Sequence, residues 1–484
     1  MAQIRPDIDH LLRRAGFGSS ALDVNIFKDM SVARAVQYLV DYETHPDDVD
    51  ERIGRPDHAQ VSSKDNFAPD IDIEDARQRW IFRMIHTRRP LQEKMTLFWH
   101  NHFATAFSKL NADSGNIQGA KLLAHKPGTL RGPQGQIELF RQHALGNFRN
   151  LLIEVAKDPA MVIWLDGKTN TKAKPQENFG REIMELFTMG VGNYTEEDVY
   201  AAARVFTGWN LPRQGSAADG SQHYEFVYVP AQHDTAAKTF SFPIYPNGGK
   251  TIPARGAADG MQDGLDFIDG LAAHPATGRY LAKKLFKFFV SEFREPDNAF
   301  IERINAVYQQ SRYDMRSVVR EVFLSQQFWD DASFFARYAW PVEFVVRALK
   351  DVGWVGFSVD TALAPLANMG QVLYEPPDVS GWDAGTTWFA TGAMLARMNF
   401  ASTLAANQRF NVASAAKSSA ATPEGLLSYF QNELVTAPTD GGTSGELLAY
   451  LRATGAWTGS DAQVQSKSAG LVHLIAGSPE YQLV

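Results

Sequence analysis

Gln176-Glu-Asn-Phe-Gly-Arg-Glu-Ile-Met-Glu-Leu-Phe-Thr-Met-Gly-Val-Gly192 has the periodicity of a two-faced helix. At about 100° per residue, Asn178, Glu182 and Glu185 share one face with Arg181 beside them. Phe179, Ile183, Leu186 and Phe187 form the opposite, apolar face. The spacing predicts a helix over Phe179–Met189, closed by Gly190 and Gly192. A carboxylate pair one turn apart, beside an amide and a guanidinium, has the composition of a metal or acid–base site. It is also the composition of a solvated helix face.

The same period recurs outward in both directions. Towards the N-terminus it predicts helices over His10–Ala15, Arg77–Ile85 (opened by Asp72 and Asp75), Pro90 to about His100, and Phe140–Ala156. On the C-terminal side it predicts Thr195–Phe206, Met261–Val290, Ala299–Gln309, Arg316–Phe328, Pro341–Val352 and Ala393–Ala405. Thr195-Glu-Glu-Asp198 reads as a capping box with Asp in the acidic position. The period changes between residues 222 and 255. There Tyr224-Glu-Phe-Val-Tyr-Val and Thr239-Phe-Ser-Phe alternate, and Asn247-Gly-Gly supplies a turn. The expected fold is therefore a large, mainly α, multi-helix protein with a small β-hairpin insertion. Residues 1–410 should form a helical core of two lobes, since 484 residues exceed what one core accommodates. Ala413–Pro423, small and polar, reads as a flexible linker to a helical extension over 411–484.

Composition narrows the function classes. A net charge of −8 and the absence of a basic tract argue against a nucleic-acid binder. With no cysteine, disulfides, thiolate metal sites and thiol nucleophiles are excluded. No stretch reaches 18 apolar residues, so no membrane span is expected. No signal-peptide-like segment opens the chain, which reads as cytoplasmic.

Standard signatures fail. Gly249-Lys-Thr251 lacks the first glycine of a phosphate loop, and Gly190-Val-Gly192 follows a helix rather than a strand. Four other segments carry chemistry. Trp99-His-Asn-His-Phe103 places two histidines about 200° apart on a helix, so a shared metal requires the helix to end near His100. Glu93 and Thr96 lie on the His100 face. Gln232-His-Asp234 sets a His-Asp pair in a turn-rich segment. Glu375-Pro-Pro-Asp378 holds two acids on a stiff loop ahead of Trp382 and Trp388, a composition that grips sugars and equally one that plugs a core. Lys283 and Lys284 are cations suited to an anionic group or to solvent.

These segments, with His10-Leu-Leu-Arg-Arg-Ala-Gly-Phe-Gly18, His143-Ala-Leu-Gly-Asn-Phe-Arg149, Phe206-Thr-Gly-Trp209 and Pro341-Val-Glu-Phe-Val-Val-Arg-Ala-Leu349, resemble the bacterial family known as domain of unknown function 1800. The resemblance runs over nearly the whole chain. It implies a mostly helical bacterial protein and no particular activity. Members are often exported and encoded beside sulfatase-like proteins, which implies a periplasmic or envelope setting that the missing export signal does not support.

The expectation is a hydrolase acting on a polysaccharide or another anionic, oxygen-rich substrate in a cleft between lobes. Glu182, Glu185, Asp378 and His100 would carry the chemistry, with Glu182 and Asp378 as a glycosidase-type pair. Asn178, Arg181, Trp209, Trp382 and His233 would hold substrate. His100, His102 and Glu182 would hold a divalent metal ion, with manganese, iron, magnesium or zinc suited to oxygen and imidazole ligands. The alternative is a non-catalytic helical scaffold, for instance for a sulfatase-like partner.

Overall fold

Helix starts follow the capping residues. Asp72 accepts the Glu74 and Asp75 N–H groups and opens Ile73–His86. Pro90 opens Pro90–His102, and Thr195 with Asp198 forms the capping box of Glu196–Val205. The structure is a computed structural model describing residues 4–216, 220–353, 356–435, 441–453 and 455–484. It is mainly α, with about 60% of the chain helical. Among the described residues, no helix is long and apolar enough to cross a membrane.

Three expected helices are broken. Phe140–Ala156 is two helices, Gln136–Gln142 and Phe148–Lys157, because Asn147 caps a new start. Met261–Val290 divides at His274, which is extended ahead of Pro275 as proline requires of its predecessor. Ser325 restarts the chain between Met315–Leu324 and Gln326–Trp329. The β segment also begins earlier than residue 222. Trp209–Asn210 pairs antiparallel with Val227–Tyr228, and Arg213–Gln214 with His223–Tyr224. Lys238–Thr239 and Thr251–Ile252 form the hairpin around Asn247-Gly-Gly. The stretch Ala413–Pro423 is no extended linker. It holds the end of the helix Arg409–Ala416, a 3-10 turn at Lys417–Ser419 and the start of Pro423–Leu434. Alanine favours helix, and Val412, Ala413 and Ala416 are buried, with this helix packed on Asp461–Gly477.

Buried ion pairs join the helices. Glu93 accepts from Trp80 Nε1 at 3.0 Å, Arg83 Nε at 2.7 Å and Arg141 Nε at 2.9 Å. Arg141 also reaches Glu138 at 2.6 Å, which in turn holds Arg79 at 2.7 Å. Glu343 pairs with Lys94 and Arg337 and accepts the Trp340 N–H at 2.9 Å. Arg347 donates to the carbonyls of Leu434 at 2.6 Å and of Tyr481 and Leu483 at 3.2 Å, fastening the C-terminal segment.

Burial alone would raise the Glu343 and Glu138 carboxyls. Arg337 and Lys94 at the first, and Arg141 and Arg79 at the second, outweigh it and hold both down at about 2. The folded value lies below the ordinary 4.5, so this stabilisation is complete above about 4.5. It is lost as pH falls from there towards 2. The urea midpoint should therefore fall steeply between pH 5 and pH 3, and Glu138→Gln should flatten that dependence while lowering the midpoint at pH 7.

Candidate functional site

The helix of the opening stretch spans Asn178–Glu185 and ends four residues earlier than its sequence period suggests. The Phe187 and Met189 N–H groups turn back onto Glu182 and Met184, and Gly190 takes φ +80° to close the turn. This early end leaves the Phe187 carbonyl free to accept the Nε2–H of His102 at 3.0 Å. Glu182 and Glu185 are half-buried. Burial, then the neighbouring Glu185, raises the Glu182 carboxyl. Glu185 accepts from the Tyr194 hydroxyl. Asn178, expected to hold substrate, is exposed and donates to Asp166 at 2.9 Å. Arg181 forks onto Glu196 at 2.8 and 2.7 Å instead of facing a ligand.

The metal assignment does not survive the geometry. The Pro90–His102 helix runs through both histidines and so turns them to different sides. His100 Nε2 accepts the Tyr374 N–H at 3.2 Å, with its ring edge-on to Trp80 and Trp382. His102 sits among Phe103, Phe148 and Tyr280. Burial lowers the His100 imidazole to about 3 and that of His102 well below its ordinary value, so both are neutral. Among the described residues, no group of three or more histidine, aspartate or glutamate side chains is placed to hold a metal ion.

His233 is fully enclosed. Its Nδ1–H donates to the Thr207 carbonyl at 2.8 Å, while Nε2 lies 3.2 Å from Asp263, which also holds Lys238 at 2.5 Å. It meets no ligand surface. Trp209 packs edge-on to Phe206 and Phe226 beside a cavity of about 20 Å³, room for one water. Asp378 is exposed and accepts from the Ser380 N–H at 2.8 Å and hydroxyl at 2.5 Å, capping its own turn. Glu375 accepts the Ser108 N–H at 3.1 Å, near the start of the Phe107–Ser114 helix.

The Trp-His-Asn-His and Glu-Pro-Pro-Asp segments do meet, through backbone. Asn101 Oδ1 accepts the Trp382 N–H at 2.6 Å, and His100 takes that of Tyr374. Gly381 makes the approach possible. Its φ is +86°, and a Cβ there would lie 2.4 Å from the Asn101 carbonyl oxygen. Gly381→Ala should lower stability by about 2 kcal/mol, read as a drop in melting temperature.

This clamp forms one wall of a pocket of about 340 Å³. Trp382, Ser380 and Asp383 line that wall beside Asn101 and His102. Trp340 and Glu292 line the pocket as well, as do Lys284, Lys287 and Phe288 from the helix Pro275–Phe289. Glu292 accepts from Trp340 Nε1 and from the Gly385 N–H, both at 3.1 Å. Burial raises its carboxyl, against the pull of Arg337. Lys287 pairs with Glu295 at 3.0 Å. Lys284 has no hydrogen-bond or ion-pair partner among the described residues, and its Nζ lies 5.3 Å from the centre of the Tyr280 ring. Burial lowers its amine to about 8.

Of the expected site residues, the pocket gathers His102 and Trp382 only. Glu185 borders it indirectly. Burial, then the charge of Glu185, raises the Tyr280 phenol to about 12, and Tyr280 stands one turn before Lys284. Glu292, Trp340 and Asp383 were not singled out by sequence. The available signal was Lys284 itself, a charge within the stripe Leu281, Lys284, Leu285, Phe288 that should be apolar throughout.

The chain matches the family model described as "Protein of unknown function (DUF1800)" over residues 10–483. It belongs to the DUF1800 family. No curated protein and no solved structure matches it. The DUF1800 match covers every segment that builds the pocket, from Phe98 to Ala384.

Proposed function

We propose that this protein is a hydrolase that binds an anionic, oxygen-rich substrate, such as a uronic or sulfated saccharide, in the Lys284–Trp382 pocket. One observation carries the reading: a half-buried lysine with no anionic partner among the described residues lines a pocket beside two tryptophans. An unpaired buried ammonium is costly, and an anionic ligand relieves that cost on binding. Trp340 and Trp382 line the pocket while remaining largely buried, and give it an apolar wall. The volume of about 340 Å³ lies in the small-ligand range. Glu292, whose carboxyl is raised by burial, is the proton donor in this scheme, and Asp383 is the second carboxylate.

The test is calorimetric titration of uronic and sulfated oligosaccharides against their neutral counterparts, followed by an assay for new reducing ends. Binding restricted to the acidic series, with turnover lost in Glu292→Gln while binding persists, supports the reading. Equal or absent binding of both series overturns it. A scaffold for a sulfatase-like partner is the second reading. It is favoured by the way Arg14, Glu93, Glu343 and Arg347, all in or beside the sequence motifs, are buried and engaged within the fold.

A further inference from the structure

The enclosed lysines of this chain differ in one respect. Lys94 holds Glu343 and the Gly16 carbonyl, Lys238 holds Asp263, and Lys350 holds Asp23 and the Gly18 carbonyl. Lys467 donates to Tyr450 and Lys121 to Gly220. Each has at least one carboxylate or carbonyl oxygen within hydrogen-bond reach. Lys284 alone among these has none, and it lines the pocket beside Trp382, whereas Lys350, which lines another pocket, holds Asp23. No carboxylate pairs with it, and the charged groups around it are Lys287, Glu292 and Asp383, with His102 and Tyr280 neutral. Its surroundings raise the share of the uncharged amine, the nucleophilic form.

We infer that Lys284 is a carbonyl-capturing amine, whose Nζ forms an imine with an aldehyde or keto group on the anionic ligand of this pocket. The inference rests on the ligand class proposed above and extends it. Hydrolysis of a glycoside exposes a reducing end, whose ring-opened form is an aldehyde. The neutral amine adds its lone pair to the carbonyl carbon, giving a carbinolamine. One nitrogen proton passes to the former carbonyl oxygen in that addition. The hydroxyl then leaves as water with a proton from the Glu292 carboxyl as the nitrogen lone pair forms the C=N bond, and the last nitrogen proton returns to the Glu292 carboxylate. Addition of water reverses the sequence, so no oxidant or reductant is consumed. At pH 7 about one in ten amines titrating near 8 is neutral, against fewer than about one in a thousand ordinary lysines.

The probe is glyoxylate, which carries an aldehyde and a carboxylate, with cyanoborohydride to trap the imine as a stable carboxymethyl amine. Full-length protein is labelled at pH 7 and mapped by mass spectrometry. Lys284 should be modified about tenfold or more faster than Lys283 and Lys287 on the same helix, two internal standards that need no variant. Equal rates, or no label on Lys284, overturn the inference. Lys284→Arg removes the primary amine and should lose the fast label. Selective labelling without saccharide binding leaves the amine standing and removes the saccharide reading. Saccharide binding without selective labelling does the reverse.

Discussion

Glu93→Ala is expected to destabilise the protein by about 3–5 kcal/mol, the largest effect of any single substitution considered. Glu93 is fully buried and bridges three helices: Trp80 and Arg83 reach it from Ile73–His86, and Arg141 from Gln136–Gln142. Burial opposes its charge, and the two guanidinium groups more than restore it, so the carboxyl is held below its ordinary value. Removing the carboxylate leaves Arg83 and Arg141 buried against one another. Arg83 retains Asp47 at 2.7 Å and Arg141 retains Glu138 at 2.6 Å, which keeps the loss from being larger. Glu93→Gln should cost less, because the amide oxygen still accepts one of the three donors. Urea unfolding followed by circular dichroism measures both. A loss under about 1 kcal/mol for the alanine variant would mean that the network behaves as a surface pair does.

Lys284→Met is expected to abolish measurable binding of the acidic saccharide, a loss of at least about a hundredfold, while leaving the fold as stable or more so. The two effects share one cause. The Lys284 amine titrates near 8 in the fold and at 10.5 in an ordinary lysine. Folding therefore disfavours its ammonium, and the penalty is present at neutral pH and relieved as pH rises from about 8 towards 10.5. Methionine fills the same volume without the charge, so the variant loses the anion partner and the penalty together. A gain of about 1 kcal/mol at pH 7 that disappears above pH 10 is the expected signature. Loss of stability with retained affinity would show that the lysine supports the fold and that the ligand sits elsewhere.

The helical content was legible because it is local. Caps such as Asp72 and Thr195, and Pro90 and Pro341 at first turns, mark where helices begin, and period 3.6 follows them. Helix interruptions were harder to read where the break lies in one residue's backbone, as at His274 before Pro275. The roles of the motif histidines and acids were not legible at all. His10 donates through Nε2 to the Phe328 carbonyl and stacks on Phe334, more than 300 residues away. His100, His233 and Glu375 likewise satisfy backbone or buried partners supplied by remote segments. A polar residue written into a motif can be a ligand or a structural clasp, and its own neighbours in sequence do not distinguish the two.

What the chain's sequence determined by itself is the α class, most helix starts, the exclusion of thiol chemistry and the family. Each follows from short-range periodicity, capping or composition. Only the tertiary structure decided where chemistry is available. It turned His100 and His102 to different sides because a continuous helix requires it, and it spent Asp378, Arg181 and His233 on partners within the fold. It then brought Lys284, Glu292, Trp340 and Trp382 to one pocket. The physical reason is that a buried charge is defined by what fails to reach it. Lys284 reads like any lysine until the packing around it shows that, among the described residues, no carboxylate comes within pairing distance.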